Sequence, residues 1–423
     1  MTRDALKKCD ALVLGAGIVG VATALHLQKR GLATVLLDRR GAGEETSFGN
    51  SGLIQREGIY PYGFPQEFGA LLRYALNKTI DAHYHPAALP GLLPFLFAYW
   101  RHSQPARHEA IARQYATLIA HCVSEHDALA EASGTTHLLR RTGWLKAFRT
   151  PKERDIRFAE AERWERTHGV SHRRLDTPAI RDAEPHLSQE IIGALHWTDP
   201  VSVSNPHALT MGYLSHFEAL GGEVLLGDAT TLAERDGAKG WTAVGFDGTV
   251  IEARQTVICL GPWADTLTAR LGYKLPLAVK RGYHMHYRPT GNAQLNHVVL
   301  DHERGYLLAP MAKGVRLTTG AEFANRDAAP TPVQLARAEP IARTFFPLGE
   351  RLDDAPWMGA RPCTPDMMPI IGRARRHEDL IFAFGHAHHG LTLAAITGRL
   401  VADMATNTRP FVDVTPFRPE RFG

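Results

Sequence analysis

Residues 11–38 read ALVLGAGIVGVATALHLQKRGLATVLLD, and this stretch decides the fold of the 423-residue chain. The apolar run that ends at Gly15 is typical of a buried parallel strand. Helical spacing follows over residues 21–30 and is closed by Gly31. A second strand is predicted over residues 33–37, and Asp38 stands at its end. Strand, G-x-G-x-x-G, helix, strand and acid in this order predict a dinucleotide-binding Rossmann unit.

Each part of this motif has a physical role toward a dinucleotide. Gly15 permits the tight turn, Gly17 lets a pyrophosphate approach the backbone, and Gly20 allows the helix to pack closely on the strand. The free amides and the dipole of the helix N-terminus favour the negative charge of the pyrophosphate. Asp38 is suited to binding both ribose hydroxyls and would repel a 2'-phosphate, which disfavours NADP. A turn without a ligand leaves Asp38 unexplained, but the motif alone does not separate NAD from FAD.

Length and composition narrow the class of protein. A chain of 423 residues and 46.7 kDa predicts two or three domains. The 48 Lys and Arg residues against 44 Asp and Glu give a net charge of +4, which is too small a surplus to indicate a nucleic-acid partner. The four cysteines lie far apart, and no ligand spacing occurs on a predicted helix. We therefore predict no disulfide framework, no metal and a cytoplasmic location.

Two apolar segments look at first like membrane-directed sequences. The N-terminal run after Lys7 and Lys8 contains three glycines and leads into a polar helix, which a secretory signal does not tolerate. The stretch from Leu89 to Trp100 contains two prolines and is about half as long as a bilayer-spanning helix. The sequence predicts no transmembrane helix and leaves open a peripheral contact with the inner face of the cell membrane.

The remaining chain alternates between helical and strand-like patterns. Asp247-Gly248 lies between two short strand patterns, residues 241–246 and 250–253, and predicts a hairpin. The other elements are predicted from periodicity, as helices over residues 104–133, 152–168, 205–220 and 391–404 and strands over residues 141–148, 191–197, 223–226, 256–261, 283–287, 305–309, 315–320 and 380–384. Nucleotide-binding segments occur at both ends and in the middle of the chain, so the domains are expected to be discontinuous.

Several ordered motifs over nearly the whole chain resemble one known family. They are the glycine motif with Asp38, Thr46-Ser47-x-x-Asn50-x-Gly52, Cys259-Leu260-Gly261-Pro262-Trp263-Ala264, Gly359-x-Arg361-Pro362-x-Thr364-Pro365-Asp366 and Gly385-His386-x-x-x-Gly390-Leu391-Thr392. The chain resembles the D-amino-acid oxidase/dehydrogenase superfamily of FAD-dependent oxidoreductases, and within it the bacterial D-amino-acid dehydrogenases. In its paired histidines, His388 and His389, the chain resembles the branch of the family that acts on proline-type substrates such as hydroxy-D-proline.

One departure from the family concerns Ala387, where many relatives have glycine. If the φ angle there is positive, an alanine costs roughly 1 kcal/mol of strain.

The resemblance implies an α/β fold (α+β overall), in which a doubly wound Rossmann-like FAD domain is interleaved with a substrate domain on a mixed antiparallel sheet. The expected FAD domain comprises residues 1–85, 200–270 and 355–423, and the substrate domain residues 86–199 and 271–354. FAD is expected to be non-covalent, because the attachment position of some relatives falls on Gly359 and not on Cys363. The motif and the resemblance assign the cofactor contacts to Gly15, Ala16, Gly17, Ile18, Val19, Gly20, Asp38, Arg39, Thr46, Ser47, Asn50, Ser51, Gly52, Leu53, Gly261, Gly385, Gly390, Leu391 and Thr392.

Oxidation of an amino acid at its α-carbon requires an anchored carboxylate and a neutral amine. Arg361 is the predicted anchor, because a guanidinium binds a carboxylate through two parallel hydrogen bonds. The alternative is a structural ion pair with an acid such as Asp366. By resemblance, Tyr306 also contacts the carboxylate and Tyr283 forms another wall of the pocket.

The histidines of the 385–390 loop leave alternatives open. His388 or His389 could bind a substrate hydroxyl or accept the ammonium proton near neutral pH, or both are ordinary loop residues.

The expected reaction is hydride transfer from the α-carbon of a D-amino acid to flavin N5, which gives an imino acid. Within the same class, the alternative is an N-methyl amino acid (sarcosine-like) or glycine oxidase. From another class, the alternative is a flavin-binding sensor without catalysis. The expected partners are an amino acid substrate and an electron acceptor such as a quinone or an electron-transfer protein. The sequence does not indicate an oligomeric state.

Overall fold

The computed structural model describes residues 6–235 and 237–422. Its strands, numbered in chain order, are β1 Leu6–Leu14, β2 Thr34–Asp38, β3 Leu53–Ile54, β4 Ala82–Tyr84, β5 Leu139–Arg140, β6 Trp144–Phe148, β7 His172–Leu175, β8 Gly193–Trp197, β9 Val201–Val203, β10 Glu223–Leu226, β11 Ala233–Glu234, β12 Trp241–Val244, β13 Val250–Ile258, β14 Ala278–Pro289, β15 Val298–Asp301, β16 Tyr306–Met311, β17 Gly314–Thr318, β18 Ala321–Phe323, β19 Leu348–Arg351, β20 Trp357–Cys363, β21 Ile370–Ala374 and β22 His377–Phe384. The helices are α1 Ile18–Lys29, α2 Phe68–Ala75, α3 Leu89–His102, α4 Pro105–Ile119, α5 Cys122–Ala132, α6 Pro151–His168, α7 Thr177–Ala183, α8 Pro206–Ala219, α9 Ala264–Arg270, α10 Val333–Phe345 and α11 Gly390–Ala405.

The first sheet is built around the N-terminal motif. Its strand order is β10-β2-β1-β13-β12-β11, with β22 beside β13 and β21 beside β22. β1 runs parallel to β2 and β13, and β13 runs parallel to β22. Leu12, Val13 and Leu14 of β1 are fully buried, as a central parallel strand covered on both faces requires.

Helices α1, α8 and α11 pack together in the layer beside this sheet. α1 begins directly after Gly17 and buries Val21, Ala22 and Leu25. α11 buries most of its length against α1, and α4 and α5 pack onto α11 in turn. The glycine motif is therefore held at the junction of the sheet and a closely packed helical layer.

The second sheet has eleven strands in the order β4-β18-β14-β17-β16-β15-β6-β8-β7, and β19 and β20 also pair with β14. It is mixed, because β14 is antiparallel to each of its partners while β15 runs parallel to β6 and β18 runs parallel to β4. One face packs against α10, with Leu335, Ala338 and Phe345 in the core. A third, small sheet has the order β3-β9-β5.

The mixed α/β architecture with a Rossmann-like sheet and a second, mixed sheet confirms the predicted fold class. Three segments nevertheless lie across the expected domain boundaries. β4 and β20 belong to the second sheet, although residues 1–85 and 355–423 were assigned to the FAD domain. α4 and α5 pack on the helices of the first sheet, although residues 86–199 were assigned to the substrate domain. Strand pairing and helix packing decide to which domain an element belongs. Neither can be read from the position of the element along the chain.

The apolar stretch from Leu89 to Trp100 lies in α3. Among the residues that the structure describes, no helix combines the length and the apolar character needed to cross a membrane.

Candidate active site

The glycine motif adopts the geometry that its three glycines predict. Gly15 has a φ of +103°, and a Cβ atom there would lie 2.6 Å from the Cys259 carbonyl oxygen. A Cβ at Gly20 would lie 1.7 Å from the Gly15 carbonyl oxygen, so α1 packs on this turn without room for a side chain. Residues Gly17, Ile18 and Val19 line a cavity. The amides of the first turn of a helix lack partners within the helix, which suits this end to an anionic ligand.

Asp38 ends β2 beside this turn. Its Oδ2 accepts a hydrogen bond from the Ala16 amide at 2.6 Å, and its Oδ1 accepts one from the Arg40 amide at 3.0 Å. Burial raises the pKa of Asp38, and these backbone hydrogen bonds oppose that rise. The carboxylate lines the cavity in a fixed orientation, as binding of ribose hydroxyls requires.

The loop after Asp38 closes over the start of α1. Ser47 Oγ accepts a hydrogen bond from the Ile18 amide at 2.9 Å, and Thr46 Oγ1 donates to the Ala360 carbonyl at 2.8 Å. Asn50 Oδ1 accepts from the Gly52 amide at 2.8 Å and so shapes the end of the loop. The loop thus connects the Rossmann motif to β20, the strand that carries Arg361.

A cavity of about 1190 Å³ extends from Asp38 to Arg361. Its wall includes most of the predicted cofactor residues, namely Gly15, Gly17, Ile18, Val19, Asp38, Arg39, Thr46, Ser47, Asn50, Ser51, Leu53, Gly261, Gly390 and Leu391. The other predicted residues are not part of the lining, and they are Ala16, Gly20, Gly52, Gly385 and Thr392. Thr392 donates from Oγ1 to the Leu53 carbonyl at 3.2 Å. The glycine cradle, the fixed carboxylate and the size of the cavity fit a dinucleotide.

Arg361 lies on the cavity wall in β20. Its Nη1 donates to the carbonyl oxygens of Gly320 at 3.0 Å and Arg281 at 3.4 Å. Burial lowers the pKa of Arg361, because a desolvated cation is less stable than a hydrated one. The alternative partner, Asp366, is bound instead to Arg421, with Nε 2.8 Å from Oδ2. Within residues 6–235 and 237–422, Arg361 forms no ion pair.

The two loop histidines face different surroundings. His388 lines the cavity with its ring centroid 4.3 Å from that of Tyr62, and its Nε2 has no hydrogen-bond partner in the described part of the chain. His389 is buried and its Nδ1 is 2.7 Å from the hydroxyl of Tyr115, in the interior. His389 is not part of the cavity lining, and this hydrogen bond holds its ring in the interior, so a substrate contact of His389 remains a prediction.

The electrostatics also separate the two alternatives for His388. Burial, together with His389 and the cations Arg361 and Lys280, holds the pKa of His388 well below its ordinary value. The imidazole is consequently neutral at neutral pH and is a poor acceptor for a substrate ammonium proton. Its geometry favours the other alternative, a hydrogen bond to a polar group of the substrate.

Tyr306 and Tyr283 line the cavity, but both hydroxyls are engaged elsewhere. The Tyr306 hydroxyl donates to Asp301 Oδ2 at 3.0 Å, and the Tyr283 hydroxyl donates to Glu322 at 2.8 Å. Asp301 is fully buried and ion-paired with Arg149. The single proton of the Tyr306 hydroxyl is thus given to Asp301, and the carboxylate contact of Tyr306 remains a prediction that would require this hydrogen bond to change. Tyr283 lies on the cavity wall, as the sequence predicts.

Ala387 has a φ of +49°, the left-handed conformation that many relatives provide with glycine. Its amide donates to the Pro362 carbonyl at 2.7 Å, which ties the histidine loop to the strand of Arg361. The strain expected at this position is therefore present in the fold.

Sequence reasoning missed two residues of this cavity end. Tyr62 comes from the irregular segment Pro61–Pro65, where closely spaced aromatic residues and prolines were the available signal. Lys280 lies in β14 directly opposite Arg361 and also lines the cavity. The available sequence signal was a lysine directly after the apolar run Leu277-Ala278-Val279.

The described residues contain two clusters of ligand-type side chains on or directly beside strands, where helical spacing does not reveal them. They are His83, His85 and Glu322, and His284, His286 and Asp353. Each His-x-His pair lies on one face because side chains alternate along a strand. In the second cluster, His286 Nε2 accepts from Arg316 Nε at 3.0 Å and Nδ1 lies 2.8 Å from Asp353. Both ring nitrogens are thus already engaged in an ion-pair network, and the cluster carries no metal assignment.

The comparison with known proteins identifies the family. A family model described as FAD dependent oxidoreductase (DAO) matches residues 10–404. The chain belongs to this family. FAD is accordingly the cofactor, and the glycine cradle, Asp38 and the loop of Ser47 are the residues that would hold it. The bound flavin supplies the hydride-accepting chemistry that amino acid side chains lack.

Curated relatives match this FAD-dependent oxidoreductase over nearly its full length. A D-amino-acid oxidase from Bradyrhizobium diazoefficiens is 29% identical and covers 97% of this chain and 98% of its own. A D-amino acid dehydrogenase from Methylobacterium radiotolerans is 30% identical and covers 94% of this chain and 96% of its own.

Solved structures share the fold at lower sequence identity. Glycine oxidase from Geobacillus kaustophilus aligns with a TM-score of 0.74 and 21% identity, covering 97% of this chain and 98% of its own. L-proline dehydrogenase from P. horikoshii aligns with a TM-score of 0.73 and 19% identity, covering 98% of both chains.

Proposed function

We propose that this FAD-dependent oxidoreductase oxidises the α-carbon of a D-amino acid and releases the imino acid. The observation that carries the proposal is Arg361, a cation on the cavity wall without an ion-pair partner in the described residues. Such a group is suited to the carboxylate that every amino acid presents. The D configuration is supported by the relatives named D-amino-acid oxidase or D-amino acid dehydrogenase.

The residues at this end of the cavity position the substrate and favour its reactive form. A carboxylate held by the planar fork of Arg361 has a fixed orientation, so the α-carbon is presented in one direction. The nearby cations lower the pKa of a substrate ammonium, which favours the neutral amine that oxidation requires. Because His388 stays neutral, the ammonium proton leaves to solvent and His388 is free to bind a polar group of the substrate. A proline-like substrate with a ring hydroxyl would use that contact.

An anaerobic panel of D-, L- and N-methyl amino acids tests this proposal. The holoenzyme is mixed with each compound, and bleaching of the flavin absorbance is followed. We expect fastest bleaching by D-amino acids, with proline-like compounds among the best. Faster bleaching by sarcosine or glycine would instead support the N-methyl amino acid or glycine oxidase alternative. Absence of bleaching by every compound would support a flavin-binding sensor.

We further propose that the electron acceptor is a quinone or an electron-transfer protein, reached from the cytoplasmic side of the membrane. The supporting observation is the apolar exposure of α2 and α3, where Phe68 is 81% exposed and Leu72, Leu76, Leu93 and Phe97 are each more than half exposed. Exposed apolar patches mark interaction surfaces. Reoxidation of the reduced enzyme by a soluble quinone should be faster than reoxidation by oxygen. The protein should also co-sediment with lipid vesicles. Faster reoxidation by oxygen would contradict the acceptor, and failure to sediment would contradict the membrane contact.

A further inference from the structure

Lys280 is a buried cation for which the described part of the chain provides no counter-ion. The residue is only 8% exposed, and its Nζ donates at 3.7 Å to the Met367 thioether, a weak acceptor. The ammonium also lies 3.9 Å from the ring centroid of Tyr99 and 5.5 Å from that of Phe323. Within residues 6–235 and 237–422 it forms no ion pair. A buried charge in such surroundings is costly unless an anion pairs with it.

Strand alternation separates Lys280 from the carboxylate that its neighbour in the strand binds. Arg281, the next residue of β14, points to the opposite face and is paired there with Glu322, and both side chains are fully buried. Lys280 instead faces the cavity in register with Arg361 of β20. Directly opposed residues of antiparallel strands place their side chains on the same face, so both cations face the cavity.

The heads of these two cations are spread along the cavity wall. A Cβ atom at Gly282 would lie 2.5 Å from Arg361 Nη2, so the guanidinium extends over Gly282, two residues along β14 from Lys280. The Lys280 ammonium lies toward Tyr99 and Phe323. The sheet therefore presents two positive side chains to one end of the cavity, and an anion seated there would be attracted by both.

We propose that Lys280 is a second carboxylate-binding residue of the substrate site, acting beside Arg361. The carboxylate is either the α-carboxylate, held jointly by both cations, or a second carboxylate on the substrate side chain. This inference rests on the proposed function only in taking the Arg361 end of the cavity as the substrate site.

Carboxylates without an amine test Lys280 separately from the oxidation reaction, because they bind but are not oxidised. Propionate and succinate are titrated into the holoenzyme by calorimetry, for the wild type, Lys280→Met and Lys280→Arg. Methionine fits the apolar surroundings of Lys280, and Lys280→Gln replaces it if that variant does not fold. Lys274→Met removes an exposed lysine of the same sheet connection and is the matched control.

We expect Lys280→Met to weaken carboxylate binding about 10- to 100-fold, the usual effect of losing one charge-assisted hydrogen bond. Lys280→Arg and Lys274→Met should stay within a few-fold of the wild type. Equal weakening of propionate and succinate assigns Lys280 to a shared carboxylate, and weakening of succinate alone assigns it to a second one. The melting temperature of Lys280→Met should not fall, since an unpaired buried charge is removed.

Three results would overturn the inference. The first is that neither carboxylate binds the wild type. The second is unchanged affinity in Lys280→Met together with a lower melting temperature, which would make Lys280 a structural residue. The third is unchanged affinity together with lost FAD or an altered flavin spectrum, which would place Lys280 against the cofactor. None of these results depends on whether a D-amino acid is oxidised.

Discussion

At the scale of single residues, the conformation of Ala387 is the feature most easily tested. Its φ of +49° is tolerated by glycine and alanine but is strongly unfavourable for a β-branched side chain. We expect Ala387→Gly to fold normally, because relief of strain offsets the loss of one buried methyl group. Ala387→Val should lose about 2 kcal/mol or more of stability. Thermal melting of both holoenzymes checks this, and equal melting temperatures would contradict the left-handed conformation.

Glu57 is a buried carboxyl group that links stability to pH. Its Oε1 accepts from Gln55 Nε2 and Trp144 Nε1, each at 2.9 Å, while its Oε2 has no partner in the described residues. Burial raises the pKa of Glu57 to about 7. The folded state therefore holds this proton more tightly than the unfolded state does. The contribution of Glu57 to the free energy of unfolding is largest below about pH 4.5 and falls as the pH rises to about 7.

Replacing Glu57 by glutamine should therefore stabilise the protein at pH 8. The gain is at most roughly 3 kcal/mol, because glutamine does not ionise, and it should shrink at pH 5.5. Melting temperatures of Glu57→Gln and wild-type holoenzyme at the two pH values measure this, with the exposed Glu218→Gln as the control. A pH-independent difference would mean that Glu57 is already ionised in the fold.

At the scale of elements, the start of α1 is predicted to tolerate no side chain at Gly20. An alanine inside a helix ordinarily stabilises it by about 1 kcal/mol relative to glycine. Here its Cβ would lie 1.7 Å from the Gly15 carbonyl oxygen, so we expect Gly20→Ala to displace the turn and lose FAD. Gly31→Ala, at the other end of the same helix, has nothing within 4 Å and should keep FAD despite its positive φ. Equal FAD occupancy in the two variants would contradict the close packing.

The elements near the cofactor were predictable because their signals are local. Residues 223–226 form the strand that periodicity predicts, and α8 begins after Asn205, whose side chain caps it.

Other elements differ from their predicted bounds. The span 104–133 is two helices, because the chain turns at residues 120–121 between α4 and α5. The strands expected over 250–253 and 256–261 are one strand, β13, since each half pairs with β1 in the same register.

The candidate site was less predictable where it depends on contacts distant in sequence. Arg361 was identified from its motif, but only the fold shows that Asp366 is taken by Arg421. The hydroxyl of Tyr306 donates to Asp301, which is in turn held by Arg149, 152 residues earlier. Lys280 could not be linked to Arg361 from the sequence, because only the pairing of β14 with β20 places the two residues opposite each other. Such pairings are set by sheet topology, which local periodicity does not encode.

At the scale of the whole molecule, residues of both large sheets line one cavity. The first sheet carries the glycine motif and Asp38, and the second carries Arg361 on β20. Replacement of Arg361, the proposed substrate anchor, should therefore leave the cofactor site intact. Arg361→Lys tests this separation because lysine keeps the charge but loses the planar two-point contact.

The most direct measurement is anaerobic single-turnover flavin reduction by Arg361→Lys, with FAD occupancy and melting temperature determined on the same preparation. The exposed Arg409→Lys is the control. We expect the loss of a charge-assisted contact to cost roughly 2–4 kcal/mol of transition-state stabilisation. The catalytic efficiency should therefore fall on the order of 30- to 1000-fold. The reduction rate should fall as well as the affinity, while FAD occupancy and melting temperature stay near those of the wild type. Normal reduction kinetics, or loss of FAD and stability with normal turnover in the folded fraction, would contradict the assignment of Arg361 to the substrate.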